Sequence, residues 1–301
     1  MISSEKDVTP AVLNVMAQTE NPRLREIMTS LVSHLHGFIR DVRLTEDEFQ
    51  KACGIVVALG QQSNDTHNEA VMLAGSLGVS SLVCLLNNGD NGRTETAANL
   101  LGPFWRLNSP PVENGGTLLR SQTPGPAMFV RAKVLDQAGQ PVEGAKVDVW
   151  HSSPVGLYEN QDHEQAEMNL RGTFTTDREG FFWFRSVLPA GYPLPTTGVV
   201  GDLLRAQHRH EYRPAHLHTL IYKPGFKTLI SQVYVSGDPR LETDPQFGVT
   251  RALIGDYRRH EEAAPDPDIT GEWYSLDYTF KLEAGESKMP MFSAYKQKEK
   301  S

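Results

Sequence analysis

The sequence predicts an α+β protein, in which a helical amino-terminal part is followed by a mostly antiparallel β-sandwich. Up to about residue 88, apolar residues recur at spacings of three and four, which is the period of an amphipathic helix. After about residue 100 they alternate instead, in short runs separated by turns rich in glycine and proline. The length of 301 residues is enough to bury a large core without cross-links. We therefore predict a helical domain over residues 1–100 and a sandwich domain over residues 101–301.

Three helices are predicted in the first domain. The first begins with Asn21 as N-cap and Pro22 at the first helical position. It carries an apolar stripe made of Leu24, Ile27, Met28, Leu31, Leu35 and Phe38. A capping box at residues 45–48 predicts the start of the second helix. The third is predicted as one continuous helix over residues 69–86, followed by a turn-rich segment at residues 87–92.

Six strands are predicted in the second domain, each bounded by turn residues. They cover residues 128–135, 145–150, 180–187, 215–222, 228–235 and 273–282. Short strands at this spacing are typical of a β-sandwich or a barrel. The polar segment at residues 287–301 is predicted to wrap the surface or to fray.

Composition and charge exclude several classes of function. There are 29 Lys and Arg against 37 Asp and Glu, a net charge of −8, which disfavours a nucleic-acid binder or a binder of anionic membranes. The two cysteines, Cys53 and Cys84, are too few for a disulfide framework, a cysteine-rich zinc site or an iron–sulfur cluster. Any metal must therefore bind His, Tyr, Asp or Glu. The first residues lack the pattern of a signal peptide, and no run of 18 apolar residues occurs, which predicts a cytoplasmic protein.

The densest group of unusual side chains is the segment 208–218. In an extended strand, His216 and His218 point to the same face, and two imidazoles on one face are a metal-ligand geometry. Taken alone, such a pair more often serves as hydrogen-bond partners or lies at the surface. The surface interpretation is the better one for the other paired histidines, which are His34, His36, His208 and His210.

Two tyrosines stand in predicted loops upstream of this segment. Tyr158 follows a strand that ends in a turn, and Tyr192 lies in a proline-rich loop. A single loop tyrosine usually packs or offers a hydrogen bond, and that interpretation is given to Tyr212, Tyr222, Tyr234 and Tyr257. Tyr158 and Tyr192 together, 34 residues apart and upstream of the motif Arg-Pro-Ala-His-x-His, form a far more specific pattern.

Because of this pattern, the chain from about residue 100 to 255 resembles the intradiol ring-cleavage dioxygenases, the family of catechol and hydroxyquinol 1,2-dioxygenases. The matching pieces are residues 101–104, 149–152, 156–158, 171–177, 191–193, 213–218 and Gln232. The helical first domain is similar to the helical dimerisation region of that family. The resemblance therefore extends over most of the chain.

The resemblance implies one non-haem Fe(III) per subunit, bound by four side chains. These are Tyr158, Tyr192, His216 and His218. Phenolate is a hard anionic oxygen donor and suits ferric iron. Zinc would more often take His, Cys or carboxylate, and ferrous oxygenases more often use two His and one carboxylate.

The resemblance also implies roles in catalysis. Tyr192, once displaced by the substrate, would act as an internal base. Arg213 would stabilise the developing anionic charge, and Gln232 would be a polar partner on a neighbouring strand. A surface ion pair is the alternative for Arg213, and a purely structural role is the alternative for Gln232.

Several segments are more similar to the hydroxyquinol branch than to the simple catechol branch. Hydroxyquinol cleavage would give 3-hydroxy-cis,cis-muconate, the enol form of maleylacetate. The implied substrate pocket consists of Met72, Gly75, Leu100, Leu101, Gly102, Pro103, Phe104, Leu194, Pro195 and Arg213. Hydroxyquinol members often have an acidic residue where this chain has Gly75. A wider pocket, and catechol or a substituted or chlorinated catechol as substrate, is therefore the alternative.

The resemblance further implies a homodimer through the amino-terminal helices and a tunnel at its interface for a phospholipid or fatty acid. The alternative is that the apolar stripes simply cover the sandwich.

Two other classes of function are the alternatives to a dioxygenase. They are a non-catalytic β-sandwich binding module and a zinc hydrolase using His216 and His218. The hydrolase needs a carboxylate base, and no HExxH-like pattern is present.

Overall fold

The computed structural model describes residues 2–64, 67–88 and 97–290. The chain divides into two compact units, Met1–Ala58 and Leu59–Ser301. Most of the predicted turn at residues 87–92 and most of the polar segment at residues 287–301 lie outside the described residues. The predicted domain boundary near residue 100 stays a prediction.

The first unit is helical, as predicted. It contains α2 (Pro22–Val42), most of α3 (Glu46–Gln62) and a further helix that was not predicted, α1 (Glu5–Met16). The predicted caps are present, because the Asn21 side chain accepts a hydrogen bond from the Leu24 amide at 3.0 Å. Thr45 and Glu48 form the capping box at the start of α3.

Two of the histidines predicted at the surface lie on α2. His34 is exposed, as predicted. His36 is half-buried, and its Nδ1 lies 2.9 Å from Thr9 Oγ1 on α1. The surface interpretation is therefore correct for His34 and only partly correct for His36.

The prediction of one helix over residues 69–86 is wrong. The structure has two, α4 (Glu69–Ser76) and α5 (Val79–Asn87), which meet at an angle of 77°. Gly78 adopts a left-handed conformation with φ 71°, which a helix cannot continue through. Among the described helices, no single one is long and apolar enough to cross a membrane; only the bent pair of α4 and α5 reaches that length and apolarity together.

The second unit contains eleven strands within the described residues. They are β1 (Ala127–Asp136), β2 (Lys146–His151), β3 (Arg171–Thr175), β4 (Phe181–Val187), β5 (Tyr192–Pro193), β6 (Tyr212–Arg213), β7 (His216–Tyr222), β8 (Leu229–Val235), β9 (Ile254–Gly255), β10 (Arg258–His260) and β11 (Trp273–Leu282). All six predicted strands are present, with ends that shift by one residue at most. A helix that the sequence did not reveal, α6 (Val199–Ala206), connects β5 to β6.

These strands form two larger sheets that share one apolar core. The first has the order β10-β11-β1-β4, and the second has the order β3-β2-β7-β8-β9. Side chains from both sheets, such as Met128, Phe280, Leu217 and Val233, belong to the same buried cluster. The α+β fold class is therefore confirmed. Most strand pairs are antiparallel, but β1 pairs in parallel with β11, and β8 with β9.

Strand β7 is central to the second sheet and is covered on both faces. Leu217 and Ile221 belong to the core between the sheets. Because successive side chains of a strand point to opposite faces, His216 and His218 lie on the other face. All residues of β7 except the last are buried, so the imidazoles meet further side chains there rather than solvent.

Candidate active site

The two histidines of β7 converge through their ring nitrogens. His216 and His218 are each about 1% exposed, and their Nε2 atoms lie 3.0 Å apart. The Nδ1 of His216 lies 2.7 Å from the Pro214 carbonyl oxygen. Because a carbonyl can only accept, this Nδ1 carries the proton, and the lone pair of His216 is on Nε2. Such a hydrogen bond is the usual way in which a protein orients a metal-binding imidazole.

Both imidazoles are held neutral. Burial, together with the nearby Arg213 charge, lowers the pKa of His216 to about 3. Burial also lowers the pKa of His218 well below its usual range, with His216 contributing. The His218 ring is stacked on Trp150, with centroids 4.7 Å apart and planes 7° from parallel. Neutral imidazoles fixed in this way keep their lone pairs available for a cation.

The two predicted tyrosines come from neighbouring loops. Tyr158 follows a turn in which Gly156 has φ 79°, and a Cβ at Gly156 would lie 2.7 Å from the Gly191 carbonyl oxygen. Only glycine allows this approach, which brings the Tyr158 loop against the Tyr192 loop. Tyr192 itself lies on β5, where it pairs with Arg213 on β6, three residues before His216.

The four side chains surround one small region. The ring centroids of Tyr158 and Tyr192 are 5.3 Å apart, with the planes at 83°. The Tyr192 and His216 rings are 5.5 Å apart, and the Tyr158 and His218 rings 6.3 Å. The Tyr158 hydroxyl is buried and bonds no group among the described residues. Burial raises the pKa of Tyr158 well above its usual value, so its phenolate form needs a cation nearby.

This donor set fits a hard trivalent cation. Imidazole nitrogens bind metals at about 2.1 Å, and two such ligands at a right angle are about 3.0 Å apart, which matches the observed separation of the two Nε2 atoms. The unpartnered Tyr158 hydroxyl supplies an oxygen donor at the same place. Within residues 2–64, 67–88 and 97–290, no group of three or more His, Cys, Asp and Glu side chains could hold a metal ion. A metal site in this part of the chain therefore depends on the tyrosines.

Arg213 lies next to this region, and the alternative that it forms a surface ion pair is wrong. Its side chain is 3% exposed and forms a bidentate ion pair with Asp244. Nε donates to Asp244 Oδ1 at 3.0 Å, and Nη2 donates to Asp244 Oδ2 at 2.8 Å. Burial opposes the charge, but Asp244 holds the pKa of Arg213 well above its usual value. Nη1 bonds no group among the described residues, so its N–H donors remain for an anion.

A line of hydrogen bonds continues from Arg213 to the predicted pocket loop. Its Nη2 donates to the Tyr234 hydroxyl at 2.6 Å, and that hydroxyl donates to Gln232 Oε1 at 2.6 Å. Gln232 Nε2 in turn donates to the Leu100 carbonyl oxygen at 2.7 Å. Gln232 is fully buried. Through Tyr234, it connects the loop before β1 with Arg213.

Asp244 and Tyr234 are residues of this site that the sequence did not single out. Asp244 was given no role from the sequence, and Tyr234 received the interpretation of packing or a hydrogen-bond handle. One indication for Tyr234 was available, because Gln232 and Tyr234 are two apart on a strand and share a face. For Asp244 the indication was general, since a buried arginine requires a carboxylate partner.

Most of the predicted pocket residues lie close to the four donor side chains. Met72, Phe104 and Leu194 belong to one apolar cluster with both tyrosines, and Leu101 packs at its edge. The Phe104 ring is stacked on Tyr158 with centroids 4.3 Å apart. Of the remaining predicted residues, Gly75 is buried, Leu100, Gly102 and Pro195 are half-buried, and Pro103 is exposed.

A second buried ion pair lies behind Tyr158 and was also missed. Arg171 donates from Nε to Glu159 at 2.7 Å and from Nη1 to the Phe104 carbonyl oxygen at 2.6 Å. Both partners of the pair are almost fully buried. Glu159 follows Tyr158 directly, so the pair fixes the backbone that presents the tyrosine ring.

The chain was compared with known proteins. Residues 100–284 match the family model described as Dioxygenase, and residues 21–94 match the one described as Catechol dioxygenase N terminus. A hydroxyquinol 1,2-dioxygenase of Rhizobium sp. (strain MTP-10005) is 36% identical over 283 residues, which are 92% of this chain and 95% of the relative. A catechol 1,2-dioxygenase of Candida albicans is 35% identical over 277 residues, which are 91% of each chain.

The fold has the same relatives. The structure of hydroxyquinol 1,2-dioxygenase from Pseudomonas putida DLL-E4 superimposes with a TM-score of 0.83 at 35% identity, covering 93% of this chain and 99% of that one. The chain therefore belongs to the intradiol ring-cleavage dioxygenases, a family of non-haem iron enzymes, and the resemblance inferred from its motifs is confirmed. Membership of this enzyme family disfavours the binding module and the zinc hydrolase.

Proposed function

We propose that this dioxygenase cleaves hydroxyquinol, benzene-1,2,4-triol, between its two adjacent hydroxyl-bearing carbons, with both atoms of O₂ entering the product 3-hydroxy-cis,cis-muconate. The observation that supports ring cleavage is the convergence of two imidazoles and two phenols beside the buried Arg213. The choice of hydroxyquinol is supported by the relatives of that name at 35–36% identity. Catechol or a chlorinated catechol is the second candidate, and the Candida albicans relative supports catechol.

The proposed cofactor is one Fe(III) per subunit, held by Tyr158, Tyr192, His216 and His218. Neutral imidazoles and phenolates are donors that suit this ion, and two phenolates favour its oxidised state. Such an ion would supply Lewis acidity toward the two adjacent substrate oxygens and a template that orients the ring for O₂. The protein supplies the shape and the proton acceptors.

Each polar residue of the site has a role that its surroundings support. As a phenolate, Tyr192 would accept the proton of one substrate hydroxyl and become a neutral phenol, which makes the tyrosine the internal base. Arg213 keeps its charge because Asp244 is bound to it, and its free Nη1 donors stabilise negative charge on the reacting ring. Gln232 and Tyr234 hold Arg213 and the Leu100 loop in place.

The apolar wall has the complementary task of excluding water. Met72, Phe104 and Leu194 are each less than 9% exposed and pack around the tyrosines. In such surroundings, charge–dipole interactions with the substrate anion are stronger than in water. The flat ring of a catechol-type substrate matches an aromatic and aliphatic wall of this kind.

Oxygen uptake with hydroxyquinol, catechol, 4-chlorocatechol and pyrogallol tests the choice of substrate. The ratios of kcat/KM report the difference in transition-state binding among these rings. We expect kcat/KM for hydroxyquinol to exceed that for catechol by at least about tenfold, since a hydrogen-bonded hydroxyl contributes that much. A higher kcat/KM for catechol would refute hydroxyquinol as the preferred substrate.

We also propose that the enzyme is a homodimer formed through the amino-terminal helices, with room for a phospholipid or fatty acid at the interface. The apolar side chains of the stripe on α2 are about half exposed in the single chain, and so are several apolar side chains on α3. These side chains are Leu24, Ile27, Leu31, Leu35, Phe38, Phe49, Ile55, Val56 and Val57. Apolar surface of this extent favours a partner. Sedimentation measures the native mass, and a value of 33.5 kDa, the mass of one chain, would contradict the dimer. Lipid extraction followed by mass spectrometry tests for a phospholipid or fatty acid at the interface.

A further inference from the structure

The buried face of α4 has a space that is filled by a side chain from a distant loop. An ideal Cβ at Gly75 would lie 1.8 Å from Gln246 Oε1 and 2.7 Å from Gln246 Cδ. The carboxamide of Gln246 therefore occupies the volume in which any other residue at position 75 would place its side chain. Glycine at this position and glutamine at position 246 form one packing unit.

The amide is held in a single orientation. Gln246 Nε2 donates to Ser76 Oγ at 2.7 Å and lies 3.4 Å from the Met72 carbonyl oxygen. Because a carbonyl oxygen only accepts, the nitrogen rather than the oxygen of the amide faces Met72. Arg209 closes the arrangement, since it donates to the carbonyl oxygens of both Ser76 and Pro245.

This orientation leaves an acceptor without a donor. Among the described residues, none donates a hydrogen bond to Gln246 Oε1, although the side chain is only 7% exposed. The oxygen is not among the fully buried polar atoms that lack a partner, so it borders accessible space, where a ligand that brings a donor can bond to it.

The acceptor is connected to the residues that would meet the substrate. The Gln246 amide nitrogen donates to Asp244 Oδ1 at 3.2 Å, and the same oxygen accepts from Arg213 Nε. On its other side, Gln246 Nε2 lies 3.4 Å from the backbone carbonyl oxygen of Met72, whose side chain belongs to the cluster that contains Tyr192. Gln246 thus lies between Arg213 and the apolar wall.

We propose that Gln246 determines specificity, with its Oε1 accepting a hydrogen bond from the ring hydroxyl that is not one of the adjacent pair. Gly75 provides the space for this acceptor. The inference rests on the proposed cleavage of a hydroxylated ring. It also explains how the site recognises a third hydroxyl without a carboxylate at position 75. A neutral amide left unpaired costs less than a buried carboxylate, so rings without the third hydroxyl are disfavoured but still accepted.

The replacement Gln246→Met tests the proposal, because methionine has a similar length and lacks the acceptor. We expect the ratio of kcat/KM for hydroxyquinol to that for catechol to fall about tenfold. The ratio of the dissociation constant for hydroxyquinol to that for catechol, measured without oxygen, should rise by a similar factor. Gly75→Ala should lower the kcat/KM ratio as well, because its Cβ displaces the amide. The control is Gln137→Met in an exposed turn, for which both ratios should stay at the wild-type value.

The outcomes separate this proposal from the proposed function. A Gln246→Met enzyme with the wild-type ratio would overturn the role of Gln246 and leave ring cleavage untouched. A wild-type enzyme that consumes oxygen with neither substrate after iron loading would overturn the proposed function itself. Should Gly75→Ala lower the melting temperature too far for assay, Ser76→Ala replaces it, since it removes the acceptor that orients the amide. Ser76→Ala should also lower the ratio, and an unchanged ratio would count against the proposal.

Discussion

Replacing Tyr192 with phenylalanine is expected to lower kcat for ring cleavage by at least about a hundredfold, because a positioned base contributes a factor of about 100 to 10,000. Phenylalanine keeps the ring that packs against Tyr158 and Phe104 and removes only the oxygen. The variant loses the acceptor for the substrate proton and one of the two proposed phenolate ligands. Oxygen uptake gives kcat and KM, and the visible spectrum reports the remaining tyrosinate.

A matched control is Tyr212→Phe on the neighbouring strand. Tyr212 pairs with Pro193 across β5 and β6, but its side chain is 38% exposed. Its hydroxyl has no part in the proposed chemistry, so kcat and the spectrum should stay at the wild-type level. A Tyr192→Phe enzyme with the kcat of Tyr212→Phe would show that Tyr192 is not the base.

Replacing Asp244 with asparagine is expected to lower the free energy of unfolding by about 3 to 5 kcal/mol, which is the typical cost of leaving one member of a buried ion pair alone. Both side chains of the Arg213–Asp244 pair are at most 3% exposed, so solvent cannot compensate the charge of Arg213. Asparagine preserves the size of the side chain. Urea unfolding at pH 7 measures the difference.

The stability difference should depend on pH. Burial raises the pKa of the Asp244 carboxyl, but the Arg213 charge outweighs burial and lowers it below the usual 3.8. A lowered folded-state pKa gives stability that is complete above the unfolded value and is lost as the pH falls through the folded value. The difference between wild type and Asp244→Asn should therefore be full above about pH 4.5 and shrink below pH 3.8.

The exposed pair of Asp256 and Arg258 provides the control. Its side chains are 67% and 69% exposed, and exposed pairs contribute about 0 to 1 kcal/mol. Asp256→Asn should therefore change the unfolding free energy by less than about 1 kcal/mol. If Asp244→Asn were no more destabilising than Asp256→Asn, the Arg213–Asp244 pair would not have the structural role assigned to it.

What could be predicted from the sequence was mainly local. The period of two along residues 215–222 gave both the strand and the common face of His216 and His218, and the six predicted strands, of the eleven described, were found in this way. The break between α4 and α5 was missed because apolar residues continue through it, and only the left-handed Gly78 turns the chain. Helix α6 is only eight residues long and follows a segment rich in proline and glycine, which concealed it.

Long-range partners could not be derived from local patterns. Asp244 is 31 residues from Arg213, and Gln246 is 170 residues from Ser76, so no periodicity links them. The parallel pairing of β1 with β11 joins the first and last strands of the second unit, and it could not be predicted for the same reason. The resemblance located Tyr158 and Tyr192 without showing the glycine turn that brings their loops together.

The central claim is that Tyr158, Tyr192, His216 and His218 hold a ferric ion. It is tested most directly by the iron content and visible spectrum of the purified enzyme. We expect about one iron per chain and a broad visible band from tyrosinate-to-Fe(III) charge transfer, because two phenolates are proposed to bind the ion. A protein that remains colourless, iron-free and inactive after loading with iron would contradict the claim.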